Sequence, residues 1–326
     1  MLIFIVRRLG SMLLVMIAVS LLIFIVLEAQ PGQVATKVLG PYSSQEQRDI
    51  WMEKNGYSRP IHERYVTWIG NFFTGDLGKS TRFKQPVNDI LWPRLGNTAL
   101  LALLTMMLVV PISLTLGVLA GMREGSSTDR SISFLSIFTT SVPEMASAPM
   151  LAAVFLSLLG WLPGTSGFSY GHPLQSLDGF PWIGINWQTV PELVMPVLVL
   201  VLYDFGYVTR MTRASMAEVM QTHYIRTAVL KGLPYKRVIV KHALRNALIA
   251  PFTIIMLQIN WLLSGVIVTE YFFAYKGFGA LLLEAALNQD IFVIEACAMV
   301  AVFVSVTTQT LSDVAYTYLN PRIRFS

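Results

Sequence analysis

Six apolar stretches, each close to the length that crosses a bilayer, dominate this sequence. A helix spanning about 30 Å of hydrocarbon takes roughly 20 mostly apolar residues at about 1.5 Å each. The stretches fall at residues 9–27, 98–120, 132–159, 193–208, 247–268 and 291–314. Pro111 interrupts the second, Pro143 and Pro149 the third, and Pro196 the fourth. Only 13% of the 326 residues are charged and 54% are hydrophobic. Soluble chains carry about 25% charged residues, so no soluble core could hide this much apolar side chain. A secreted enzyme, a nucleic-acid-binding domain and a disordered chain are all disfavoured. The single cysteine, Cys297, excludes an intramolecular disulfide framework and a thiolate-rich zinc cluster. The expected fold class is an all-α polytopic membrane protein with six transmembrane helices.

Arg7 and Arg8 precede the first stretch, as in a cleavable signal peptide. The run exceeds the 7–15 residues of a signal core and exits on Leu27-Glu28-Ala29 rather than a small-residue cleavage site, so a retained anchor is expected. Placement of Lys and Arg sets the orientation. With a cytoplasmic N-terminus, Arg7 and Arg8, the turn bearing Arg123 and Arg130, the basic segment 210–245, and Arg322 and Arg324 all fall inside. Residues 160–190 carry no Lys or Arg, and residues 269–290 carry only Lys276. Both termini are therefore expected in the cytoplasm.

Two connections are long. Residues 31–94 carry Trp51, Tyr57, Tyr65, Trp68, Phe72 and Phe73 among charges. Ser44-Gln45-Glu46-Gln47 can open a short helix, and three- and four-residue spacing over 62–73 predicts a second. This reads as a small folded cap on the outer face. Gly78-Lys79-Ser80 invites a phosphate-loop reading, but the required glycine five positions earlier is Phe73, so that reading is rejected. In the basic segment, Ile225, Ala228 and Val229 recur at helical spacing and Gly232 can end the helix. A second helix is expected to begin near Pro234 and lead into the fifth span. Physics alone leaves two readings open: a basic loop touching lipid phosphates, or a helix presented to a cytoplasmic partner.

The segment Tyr224-Ile225-Arg226-Thr227-Ala228-Val229-Leu230-Lys231-Gly232-Leu233, followed by Lys241-His242-Ala243-Leu244-Arg245-Asn246-Ala247-Leu248, resembles the EAA loop of ABC-importer permeases, in the form of the dipeptide/oligopeptide/nickel branch. Gly75-Asp76-Leu77-Gly78-Lys79-Ser80, Arg94-Leu95-Gly96-Asn97-Thr98, Gly160-Trp161-Leu162-Pro163 and Asn320-Pro321-Arg322-Ile323-Arg324 resemble further blocks of that branch, in order. Two places depart from it. The turn after the fifth span reads Tyr275-Lys276-Gly277-Phe278-Gly279, with lysine where the family has proline, and the loop 161–191 is longer than expected.

The resemblance implies a type I importer permease core at 96–326 with a coupling segment at 210–246, an extracytoplasmic cap at 30–95 and an anchor at 1–29. It implies a non-catalytic subunit of a bacterial inner-membrane importer. Its partners would be a sister permease (as a heterodimer), two ATPases holding ATP and Mg, and an extracytoplasmic solute-binding protein. No cofactor is expected in this chain, and the cargo expected is an oligopeptide. Oligosaccharide or nickel-chelate import by the same machinery and a stand-alone secondary transporter or channel are the alternatives; the last predicts internal repeats, which the sequence lacks. Tyr224, Ile225, Arg226, Thr227, Ala228, Val229, Lys231, Gly232 and Leu233 are the coupling candidates. Ile225, Ala228 and Val229 would enter a cleft in the ATPase, with Arg226 and Lys231 pairing acids on its rim.

Ionisable side chains within spans cost roughly 2.5–3.5 kcal/mol and usually face the bundle interior or water. Glu144 and Asp204, with Gln258 and Asn260, are therefore candidates to line the pathway and favour a cationic or polyhydroxyl solute; interhelical partnership is the alternative. Lys276, Gly277 and Gly279 are candidates at the outer mouth. Gly117-x-x-x-Gly121 allows close helix contact. His62, His172, His223 and His242 are scattered over both faces and suggest no metal site.

Overall fold

The computed structural model describes residues 2–28, 31–165, 179–180, 185–186, 190–264 and 266–319. Most of the loop 161–191, with His172, and the closing block 320–324, with Arg322 and Arg324, lie outside the described residues. The described chain is helical, apart from turns and a two-residue antiparallel pairing of β1 (Gly179–Phe180) with β2 (Ile185–Asn186).

The first span is α1 (Leu2–Glu28), whose apolar window runs Val6–Leu27. Three short helices follow: α2 (Pro31–Leu39), α3 (Gln45–Lys54) and α4 (Ile61–Thr74). α3 starts where the sequence indicates. The Ser44 hydroxyl accepts from the Gln47 N–H at 3.2 Å, and the Gln47 side chain accepts from the Ser44 N–H at 3.0 Å. Each group satisfies a donor that a helix start leaves orphaned. α4, one residue longer at each end than expected, docks on α1. Tyr65 shares a hydroxyl hydrogen bond with Ser20 at 2.7 Å, and the Tyr65 and Trp68 rings lie 5.4 and 5.5 Å from that of Phe24.

A tight hairpin then leads into the second span. The Ser80 N–H donates to the Gln85 carbonyl and the Val87 N–H to the Gly78 carbonyl, each at 3.0 Å. The Ser80 hydroxyl donates to Asp290 Oδ2 at 2.5 Å, and the Arg82 N–H reaches the same oxygen at 3.2 Å. Gly78 has φ 78°, and a β-carbon there would sit 3.1 Å from the Phe292 ring. The Gly75–Ser80 block is thus a latch onto the start of the last span, a role unrelated to phosphate.

Among the described residues, α5 (Val87–Met122), α8 (Val190–Met220) and α14 (Ile291–Leu319) carry complete spans besides α1. Two bent pairs bring the number to six when each is taken as one span: α6 (Ser127–Ser141) with α7 (Glu144–Leu158), and α10 (Tyr235–Ala247) with α11 (Ile249–Leu263). The third stretch, 132–159, is therefore not the continuous span expected. It bends by 100° between Ser141 and Glu144, where Pro143 cannot continue a hydrogen-bonded helix. The fourth stretch is also corrected: its helix runs on to Met220 through Arg210 and Arg213, which change the hydropathy without breaking the backbone. Between α8 and α10 lies α9 (His223–Leu230). After α11 come α12 (Ile267–Phe272) and α13 (Phe278–Leu287).

One core cluster joins Leu101, Leu200, Leu262 and Tyr275; another joins Leu91, Phe278, Leu281, Val293 and Cys297. α5 and α8 approach so closely that a β-carbon on Gly117 would lie 2.5 Å from Thr212 Cβ and 2.8 Å from the Thr209 carbonyl oxygen. On Gly121 it would lie 2.6 Å from the Arg213 carbonyl oxygen and 2.7 Å from Met216 Cβ. The glycine pair is thus an intramolecular contact. Far from the cap, Arg8 and Asp313 form an ion pair between the first and last spans.

Candidate functional site

α9 is a two-turn helix held at the end of the bundle remote from the cap. The chain leaves α8, turns at Gln221 and Thr222, and starts again at His223. Its close is set by backbone geometry. The Gly232 N–H donates to the Val229 carbonyl at 2.9 Å, the Leu233 N–H returns to the Ala228 carbonyl at 3.4 Å, and Gly232 takes φ 72°. Nothing among the described residues lies within 4 Å of where its β-carbon would be, so glycine is required there for conformation and not for space. Pro234 then caps α10 at its start, as the sequence indicates.

The helix is two-sided. Ile225 and Ala228, three residues apart and so on one face, are buried against Met216, Val238, Ile239, Ala243 and Ala247 of the same chain. This corrects the expectation that both enter a partner's cleft. They anchor the helix to its own bundle, aided by Asn246, whose side-chain amide donates to the Tyr224 hydroxyl at 2.8 Å. Tyr224, Arg226, Thr227, Val229 and Lys231 remain exposed. Between them stands Leu230, 84% exposed, which sequence reasoning passed over. Its signal was an apolar residue in the middle of the polar face of an amphipathic helix.

A half-buried brace ties α8, just before α9, to the preceding span. Arg213 donates to Asp129 through Nε at 2.9 Å and Nη2 at 2.8 Å, a two-pronged contact whose planar fork fixes orientation. The Gly125 N–H adds 2.9 Å to Asp129 Oδ2, and Ser126 caps the start of α6. Any displacement of α8 therefore reaches the turn between α5 and α6.

The intraspan candidates separate into two pairs. Gln258 donates to Asp204 Oδ1, joining α11 to α8. Thr269 donates its hydroxyl and its N–H to Glu144 Oε1, joining α12 to the bend before α7. Both acids thus bridge helices. Asp204 is fully buried, so in this conformation it faces a helix seam and not an open path; Glu144 is half-buried. The Asn260 side-chain oxygen is buried without a hydrogen-bond partner among the described residues, and beside it Trp261 stacks on Tyr203 at 4.8 Å.

At the cap end, the outer-turn candidates gather around Glu270, an acid the sequence reading overlooked. It is fully buried and lies beyond the fifth span. The Thr98 hydroxyl donates to it at 2.5 Å and accepts from the Phe278 N–H at 2.8 Å; the Ala280 N–H donates to Glu270 at 2.8 Å. A β-carbon on Gly277 would collide with this carboxylate, and one on Gly279 would lie 2.9 Å from Ile267 Cγ1. Both glycines are buried, so of the three mouth candidates only Lys276 is exposed, its carbonyl held by Asn97 at 2.6 Å.

Burial pushes the Glu270 carboxyl up to about 7, against hydrogen bonds from Thr98 and the Ala280 and Gly279 N–H groups that favour the ionised form. Between its ordinary value and 7 the folded chain retains a proton that the unfolded chain has lost. Its contribution to stability is full at acid pH and is lost as pH rises through that window. Glu270→Gln is expected to flatten this part of the profile. The check is thermal unfolding of detergent-solubilised chain at several pH values, and an unchanged slope in the variant would refute the assignment.

Known sequences resemble this chain over nearly its whole length. A family model described as "Binding-protein-dependent transport system inner membrane component" matches residues 113–325, and one described as "Binding-prot-dependent transport system membrane comp, N-term" matches residues 1–102. The chain is 32% identical over 323 residues to the oligopeptide transport system permease protein AppB of Bacillus subtilis, covering 99% of each chain. It is 31% identical over 327 residues to the dipeptide transport system permease protein DppB of Alkalihalophilus pseudofirmus, covering 98% of each. Against the di/tripeptide transport system permease protein DppB of Pseudomonas aeruginosa it is 30% identical over 333 residues, covering 99% of each.

Proposed function

We propose a mechanism from this premise: the chain belongs to the family of binding-protein-dependent transport system inner membrane components. It is a multi-pass inner-membrane protein and a permease subunit of an ABC importer. The cargo we assign is an oligopeptide, on the strength of relatives named for oligopeptide, dipeptide and di/tripeptide transport. This chain builds half of the pathway beside a sister permease. A binding protein delivers the solute at the cap face, and two ATPases hydrolyse ATP at the opposite, cytoplasmic face, where both termini lie.

The observation that carries this reading is α9, anchored by Ile225 and Ala228 and presenting Leu230 outward. A rigid helix held in an ATPase cleft moves with that subunit as it closes. α8 and the Arg213–Asp129 brace then pass the displacement to α5 and α6. Glu144, at the 100° bend and half-buried, is the acid best placed to meet solute when the bend opens.

Gentle extraction of the tagged chain is expected to recover two ATPases and one sister permease. The reconstituted complex is expected to take up short peptides only with ATP and binding protein. Peptide uptake without the ATPases would defeat the reading. In the same assay Glu144→Ala, at equal abundance, is expected to lower uptake several-fold; unchanged uptake would remove Glu144 from the path.

A further inference from the structure

A cavity of about 190 Å³ lies where the cap meets the bundle, walled by Phe24, Tyr57, Arg59, Arg64, Trp68 and Glu295. A smaller hollow of about 90 Å³ shares Trp68 and Glu295 with it and extends it along α4 and the start of α14. The candidate site described above uses none of these residues.

Depth and charge indicate what this groove holds. Phe24 lies three residues before Leu27, where the apolar window of α1 ends. That is about 5 Å of helix rise, so the cavity sits where hydrocarbon gives way to headgroups. Tyr57, Tyr65 and Trp68 are rings of the kind that favour this level. On the side of α1 that carries Phe24, an apolar surface suited to acyl chains continues, with Ile17 53% and Leu21 44% exposed.

Two guanidiniums and one carboxylate line the cavity, leaving a balance of one positive charge there, while Asp76 lines the smaller hollow. The Arg64 guanidinium is fixed 4.3 Å from the Tyr57 ring centroid and 5.7 Å from that of Phe24. Glu295 is 2% exposed, whereas Arg59 is exposed at the rim. A single-charge anion with an apolar tail is complementary to this lining, because a guanidinium pairs two-pronged with phosphate oxygens.

We propose that this cavity seats the phosphodiester headgroup of a glycerophospholipid from the leaflet on the cap side, with Arg59 pairing its phosphate. The proposal rests on the membrane-spanning fold and not on solute or ATPases. Failure of the importer reading in uptake assays therefore leaves it standing, and the reverse also holds.

The test is native mass spectrometry of the full chain in mild detergent with added dioleoyl phosphatidylglycerol. The wild type is expected to retain one lipid. Arg59→Gln is expected to weaken retention about tenfold, a loss of about 1.4 kcal/mol. Asn71→Trp fills the groove without changing its charge and should weaken retention comparably, whereas Lys54→Gln, on the cap but outside the cavity, should retain lipid as the wild type does. Wild-type retention by both Arg59→Gln and Asn71→Trp would overturn the proposal. Displacement of the lipid by millimolar inorganic phosphate would also overturn it, by identifying a site for a soluble anion.

Discussion

Replacing Leu230 with aspartate is expected to abolish ATP-driven uptake while leaving the chain folded and in the membrane. The side chain is 84% exposed, so its removal opens no cavity in the bundle. An acid near the end of α9 opposes the helix dipole by about 0.3–1 kcal/mol, too little to unfold it. At a partner's cleft the same change replaces an apolar anchor by a charge that must be desolvated. Loss of a buried interface anchor costs about 2 kcal/mol or more, or about thirtyfold in affinity. Co-purification should show the ATPases lost from Leu230→Asp while the sister permease is retained. Ile225→Asp is the contrast. It buries a charge among Met216, Val238 and Ile239, and should reduce the amount of folded chain itself. Full ATPase retention by Leu230→Asp would mean that α9 is not the joint.

Gly121→Leu is expected to prevent accumulation of the protein. The atoms in the way are the Arg213 carbonyl oxygen, 2.6 Å from the new β-carbon, and Met216 Cβ at 2.7 Å. Neither is the free end of a flexible side chain, so α5 and α8 must separate along their length. Overpacking of this kind costs about 1–3 kcal/mol and occasionally more. Here it also pulls on the Arg213–Asp129 brace, because Arg213 is itself the residue contacted. Changes of about 1–2 kcal/mol alter abundance several-fold in cells, so membrane levels should fall about tenfold. Gly10→Leu in α1, where nothing among the described residues lies within 4 Å, should accumulate normally. Comparable levels of the two variants by immunoblot would refute the tight crossing.

The features legible in the sequence were those set by short-range chemistry. The cap at Ser44, the left-handed turn at Gly232 and the lengths of the apolar windows depend on a few adjacent residues. The features hidden from it depend on distant partners. Pro143 lies in an apolar run that reads as one span, and whether a proline kinks a span or turns it by 100° is settled by what receives the freed end. Here that is Thr269, 125 residues away, bonded to Glu144. Gly117-x-x-x-Gly121 was visible, yet only the structure shows that its partner is α8 rather than a second subunit. Glu270 was missed because its meaning lies in Thr98 and Ala280, which pattern alone cannot bring together. Ile225 and Ala228 were found but assigned to the wrong neighbour, since periodicity identifies an apolar face and not what covers it.

The bond from Ser80 to Asp290 carries a consequence for biogenesis. The two residues are separated by 210 positions, which a ribosome working at about 5–20 residues per second needs about 10–40 s to cover. Throughout that interval the hairpin after α4 has emerged without its clasp, and a nascent chain arrested before Asp290 keeps it unfastened. Closure at this bond therefore reports that synthesis has reached the sixth crossing.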